Sequence, residues 1–237
     1  MIRGMYASAA GMLTGIARQD LYAGNLANAN TVGYRRLGCG TRSFGLALKS
    51  VSEGGEQLRG GAGPVDEVLD LAEGALKTTG SRFDVAISGP GFLAVQTPQG
   101  VRYTRDGRLQ ANAAGLLADA RGNPVVGANG TIGVKGDIDI SETGQVKSGG
   151  KFVGELLIAD LPAASLKPAG DNLYASSATP QRSVAARIVQ GSLEDSNASA
   201  MQELAAMMRN SRYYEANAAA LRQQDQTLEG LVRLIGE

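Results

Sequence analysis

The stretch Leu193-Glu194-Asp195-Ser196-Asn197-Ala198-Ser199-Ala200, continuing through Met207-Met208 and Tyr213-Tyr214-Glu215-Ala216-Asn217 to Leu228, Val232 and Ile235, decides the architecture. Steps of three and four residues from Asn197 pick out Asn197, Ala200, Leu204, Met207, Ser211, Tyr214, Ala218, Leu221, Asp225, Leu228, Val232 and Ile235. Nine of these twelve are apolar and no proline interrupts them, so the spacing predicts one long helix over Leu193–Ile235 with a coiled-coil seam. A helix of about forty residues is roughly 60 Å long, too long for the remaining chain to cover, so it needs a partner.

That partner is at the other end of the chain. Ile2, Met5, Ala9, Met12, Ile16, Gln19, Ala23 and Leu26 fall on the same alternating spacing, with Gln19 the one polar member. Gly4, Gly11, Gly15 and Gly24 weaken this first helix. Together with the alanines they leave a flat surface suited to close packing among several chains. All seven prolines lie between the two terminal seams, from Pro64 to Pro180. The expected fold is therefore α+β, mainly β: an antiparallel coiled-coil stalk of the N- and C-terminal helices, with an all-β domain inserted. The expected boundaries are 1–36 for the first helix, 37–80 for an irregular linker, 81–190 for the β domain and 191–237 for the second helix.

The middle has the rhythm of short strands. Phe83, Val85 and Ile87 alternate with Asp84, Ala86 and Ser88, which reads as a half-buried strand. Gly89-Pro90-Gly91 turns the chain, and Asp106-Gly107, Asn129-Gly130, Thr143-Gly144 and Gly149-Gly150 read as hairpin turns of a sandwich or barrel-like domain.

Composition narrows the function. Twenty-three basic residues balance twenty-three acidic ones, and no basic run exceeds Arg35-Arg36, so no nucleic-acid partner is expected. Histidine is absent and Cys39 is the single cysteine, which removes histidine-based triads, disulfides within the chain and cysteine metal cages. The glycines form neither a dinucleotide fingerprint nor a P-loop. Asp137, Asp139 and Glu142 lack the glycine and twelfth-position glutamate of a calcium loop and read as a solvated strand face. No catalytic, cofactor-binding or metal-binding residue is expected. No apolar run approaches a membrane span, and Gly, Ser and Thr break up the start of the chain, so neither membrane insertion nor a cleaved signal is expected.

Four motifs, in order, carry a resemblance. Asn25-Leu26-Ala27-Asn28 with Asn30-Thr31 and Gly33-Tyr34 comes first; Phe83-Asp84-Val85-Ala86-Ile87-Ser88-Gly89-Pro90-Gly91-Phe92 and Tyr103-Thr104-Arg105-Asp106-Gly107 follow. Gly191-Ser192-Leu193-Glu194-Asp195-Ser196-Asn197 with Tyr213-Tyr214-Glu215-Ala216-Asn217 comes last. Together they resemble the flagellar basal-body rod and hook proteins over nearly the whole chain, most closely the proximal-rod members and next the distal-rod members. The resemblance implies a structural subunit of the periplasmic rod that is exported by the flagellar type III apparatus without a cleaved signal. Its implied partners are copies of itself and the proximal and distal rod proteins. The residues expected to pack between subunits are Ile2, Met5, Met12, Ile16, Leu26, Asn28, Asn30, Leu204, Met207, Tyr214, Leu221, Leu228, Val232 and Ile235. An alternative class is a β-domain binding module carried on an oligomerising coiled coil. Against it, Phe83, Phe92, Tyr103, Phe152 and Tyr174 are a thin aromatic supply for a ligand platform. An enzyme fits least.

Overall fold

A computed structural model describes residues 2–40 and 66–235, with side-chain surroundings for residues 4–40 and 67–230. The glycine pairs Gly54-Gly55 and Gly60-Gly61, and Gly63-Pro64, lie outside the described residues, as does most of the expected linker. The chain is mainly β with one helix near each end, α1 over Ile2–Ala27 and α2 over Ala200–Ile235. It divides into two compact units. One comprises residues 1–27, 37–68 and 199–237; the other comprises residues 28–36 and 69–198.

The first unit holds α1 and α2, side by side and antiparallel: Gly4 is level with Gln224, Gly11 with Asn217, and Gly15 with Asn210 and Tyr214. It also holds most of a two-stranded sheet formed by Leu37–Gly40 and Asp66–Leu69. α1 ends at Ala27, short of the expected boundary at residue 36. Beyond it Asn28 accepts a bond from the Thr31 amide, and Gly33 adopts a left-handed φ of 65° that a side chain would resist.

α2 starts seven residues later than the periodicity predicts. Ser192–Glu194 is a strand paired with Leu76–Thr78, and all three of its residues are buried. Asn197, which opens the predicted seam, is not helical. Its Oδ1 accepts the Arg36 amide at 2.6 Å, and its Nδ2 donates to the Asp70 and Ala72 carbonyls. A seam count cannot see that these residues satisfy backbone groups elsewhere in the chain.

The second unit is all β apart from one 3₁₀ turn over Ala163–Ser165. Its largest sheet runs, in spatial order, Leu166–Pro168, Tyr174–Ser176, Gly100–Thr104, Phe92–Thr97, Ile158–Asp160 and Gln181–Arg182, antiparallel throughout. A three-stranded sheet follows the order Ile138–Ile140, Gln145–Ser148, Lys151–Glu155. Val85–Ser88 pairs with Arg187–Gln190. Val85, Ile87, Leu93, Val95, Leu117, Val125, Ile132, Ile138, Val146, Leu156 and Ile188 close into one core.

Two turn readings and one strand reading have different outcomes. Gly149-Gly150 is the expected two-residue loop, both glycines at positive φ, joining Ser148 to its partner Lys151. Asp106-Gly107 is no hairpin. The strands on either side of it belong to different sheets, and the Gly107 backbone presses so closely on the Val85 carbonyl that a Cβ would overlap it. Val85–Ser88 is not half-buried either, because Ala86 is as buried as Val85 and Ile87; the strand has core on both faces.

Candidate functional site

The face that α1 turns to α2 is built from small and polar residues. Along α1 it runs Gly4, Ser8, Gly11 and Gly15 and reaches the buried Asn25. Along α2, polar residues recur every seven positions, Glu203, Asn210, Asn217 and Gln224, with Met207, Tyr214 and Leu221 between them and Leu228 beyond. The glycines let the backbones approach, and the amide side chains fill the space a Cβ would occupy: a Cβ at Gly11 would meet Asn217 Oδ1 at 3.1 Å. Asn210, itself buried, donates through Nδ2 to the Gly15 carbonyl at 2.7 Å and to Gln19 Oε1 at 2.9 Å. At the other end Asn25 exchanges two bonds with the backbone of Leu37, donating to its carbonyl at 2.8 Å and accepting from its amide at 2.9 Å. Asn25 also donates to Glu203 Oε2 at 3.3 Å, and both side chains are buried. Amides at core positions of a helix pair fix register at some cost in stability.

The apolar stripe read on α1 is therefore not the face it turns to α2. The inner positions of α1 lie one residue before the predicted ones, so Ile16 is 49% exposed and Ala23 is exposed. On α2, Leu204 is 48% exposed, whereas Met207, Leu221 and Leu228 are half-buried along the pair. Tyr214 is partly exposed but lies against Gly15. Met5, Met12 and Leu26 are half-buried flanking residues. Asn28 accepts a bond from the Thr31 hydroxyl, and Asn30 is exposed. Ile2, Val232 and Ile235 lie within the helices, but their side chains fall outside the described residues. The reason for the offset is geometric. Three glycines on one face of α1 allow a closer approach than Met or Ile would, so the chain pairs through the glycine face. The outer sides carry Tyr6, Leu13 and Ile16 on α1 and Met201, Leu204 and Met208 on α2, all exposed.

In the second unit residues of all four motifs meet at a buried ionic cluster that sequence reasoning did not anticipate. Arg35 is 0% exposed and its Nη1 lies 2.7 Å from Glu194 Oε1; the Glu194 side chain is 1% exposed. The other carboxylate oxygen of Glu194 accepts from Arg105 Nη1 at 3.1 Å, and Gly74 N–H donates to Oε1 at 2.8 Å. Arg105 also donates to the Ile87 and Gly89 carbonyls, and its guanidinium lies over the Phe92 ring. Burial, then the neighbouring Arg35 charge, pull the Arg105 guanidinium below its ordinary pKa. Phe92 meets Tyr174 edge-on at 5.7 Å, and the Tyr174 hydroxyl accepts the Arg35 amide. Gly33 closes the cluster. Its N–H donates to the Glu194 carbonyl at 2.7 Å, and its Cα abuts the Arg105 backbone, where any side chain would collide. The Gly33, Arg105 and Glu194 positions of the motifs thus have one physical explanation.

A sequence signal exists for the first of these features. The seven-residue recurrence of Glu, Asn, Asn and Gln on α2 is visible without a structure, as is its counterpart Gly4-Gly11 on α1. The ionic cluster has no such signature, because its members lie far apart in the chain.

Three protein-family models match in chain order. The flagella basal body rod protein model covers residues 5–35, the flagellar hook protein FlgE/F/G D1 domain 86–148, and the flagellar basal body rod FlgEFG protein C-terminal model 189–234. The flagellar basal-body rod protein FlgF of Caulobacter vibrioides is 32% identical, covering 87% of this chain and 90% of that protein. FlgG of Buchnera aphidicola subsp. Schizaphis graminum is 30% identical over 99% of this chain and 100% of its own length. FlgF of Mesorhizobium japonicum is 31% identical, covering 92% of each chain. Similarity of this extent, spread over helices and β unit alike, means that the chain belongs to the flagellar basal-body rod protein family.

Proposed function

We propose that this protein is a structural subunit of the flagellar rod, of the proximal-rod FlgF type. Its terminal helices form an antiparallel coiled-coil stalk and self-assemble with other rod proteins into a helical tube in the periplasm. In this reading it reaches the periplasm through the flagellar type III export apparatus, without cleavage of a signal. One observation carries the proposal. The pairing of α1 with α2 consumes the glycine and amide faces and leaves Tyr6, Leu13 and Ile16 on one outer side and Met201, Leu204 and Met208 on the other, exposed to solvent. Apolar rows of that kind favour burial against further helices. Contacts of unlike surfaces that do not close on themselves build a filament, not a ring.

The test is replacement of Leu13 and Leu204 together by Glu, with the variant expressed in cells lacking their own copy of the protein. Exposed positions tolerate the charge in the free subunit, so its β unit should melt as the parent does. Swimming and recovery of the subunit in isolated basal bodies should be lost. Normal incorporation of the double variant would overturn the proposal. The distal-rod FlgG reading is the competitor, favoured by the full-length match to the Buchnera FlgG. Restoring motility separately to cells lacking the proximal or the distal subunit decides between them.

A further inference from the structure

Among the described residues, the ionic cluster holds more positive charge than its acidic partner neutralises. Two guanidinium groups, Arg35 and Arg105, share the single carboxylate of Glu194, and none of the three is more than 4% exposed. The next acidic group toward Arg105 is Glu73, which is exposed and is engaged by the Gly89 amide. A guanidinium keeps its proton, so this excess cannot be relieved by ionisation as a buried lysine's would be. Hydrogen bonding is also incomplete. The Arg35 Nε, Nη1 and Nη2 and the Arg105 Nε have no hydrogen-bond partner among the described residues, the close Arg35–Glu194 approach being an ion pair off the hydrogen-bond axis. Several buried donors and an uncompensated unit of positive charge in one place call for an acceptor that carries negative charge.

We propose that Arg35, Arg105 and Glu194 enclose an internal anion site that takes up one small monovalent anion of the chloride class as the β unit folds. The charge is set by the excess, two cations against one carboxylate. The size is set by the burial, since a group as large as sulfate would need an opening to solvent. The donors are the Arg35 N–H groups together with Arg105 Nε. Because the cluster is closed to solvent, the anion enters and leaves with unfolding. Its binding therefore shows as a dependence of folding stability on anion concentration.

The experiment uses the full chain and sodium chloride, exchanged for sodium gluconate at constant ionic strength so that screening does not change. Tm of the β unit should rise with chloride and saturate, with a total shift of roughly 3–6 °C. Glu194→Gln, which removes the competing carboxylate, should make the dependence steeper. Arg35→Met should abolish it. Should either variant fail to fold, a crystal of the parent protein refolded and grown in sodium bromide gives an independent reading: an anomalous peak beside the Arg35 guanidinium supports the site. A Tm indifferent to chloride in the parent protein, or water alone in that position after refolding in bromide, overturns it.

Discussion

Asn210 on α2 reaches across to Gly15 on α1, its Nδ2 lying 2.7 Å from the glycine carbonyl and in bonding range of Gln19 as well. A Cβ at position 15 would already touch Tyr214 at 3.6 Å, so a side chain longer than that of alanine would press on Tyr214 and Asn210. Asn210→Ala should remove both bonds and cost about 1–2 kcal/mol of helix-pair stability. Amide hydrogen exchange along α1 and α2 of the parent and variant measures this, with faster exchange expected in both helices. Unchanged exchange in α1 would mean that the bond across the pair contributes nothing.

The glycines of α1 should not respond alike. Among the described residues a Cβ at Gly24 meets nothing within 4 Å, so Gly24→Ala gains helix propensity and should stabilise α1 by about 0.5–1 kcal/mol. Helicity followed by circular dichroism on heating gives the sign. In the β unit Gly107→Ala is the opposite case. Its Cβ would overlap the Val85 carbonyl, a backbone atom in a buried strand that cannot yield. The loss should exceed about 3 kcal/mol, read as a lower denaturant midpoint or as failure to fold.

What the sequence made legible depended on how local each signal was. The two terminal helices follow from the spacing of apolar residues, although α1 ends at Ala27, ahead of the boundary at residue 36. The loop at Gly149-Gly150 needs only adjacent residues. The offset of the helix faces was not legible by the same method. Counting apolar residues rewards Ile16 and Leu204, whereas the pairing face is decided by where backbones can come close, at Gly4, Gly11 and Gly15. Asp106-Gly107 misread for a related reason: it has the composition of a hairpin, but a close approach to Val85, twenty-two residues earlier, determines its path. Arg35, Arg105 and Glu194 were quoted within or beside recognised motifs. Nothing in their spacing tells that they share one buried site.

That site predicts an asymmetric response to substitution. Glu194→Ala leaves Arg35 and Arg105 buried against each other with no carboxylate and should cost about 3–5 kcal/mol. Arg105→Met should cost less, because Glu194 keeps Arg35 and the Gly74 amide. Urea unfolding of the three proteins ranks them. A milder loss for Glu194→Ala than for Arg105→Met would mean that the excess positive charge is neutralised by a route other than this carboxylate.

Tyr174 gives the β unit a defined alkaline limit. Burial raises its hydroxyl from the ordinary value of 10 to about 12, against the opposing pull of the Arg35 backbone bond. The folded state therefore holds the phenolic proton more tightly than the unfolded chain. The stability it contributes is complete below pH 10 and is lost as pH rises from 10 through 12. Two pKa units correspond to roughly 2–3 kcal/mol over that window. Tyr103 adds in the same direction, its hydroxyl also raised by burial. Tyr174→Phe keeps the edge-on packing against Phe92 and gives up only the long contact with the Arg35 amide at 3.4 Å. The variant should be close to the parent in stability at neutral pH and should fall off less steeply above pH 10. Denaturant midpoints of the two proteins, measured at intervals from pH 8 to pH 12, test this. Parallel curves through the whole range would show that the tyrosine proton is held no more tightly in the folded state than in the unfolded one.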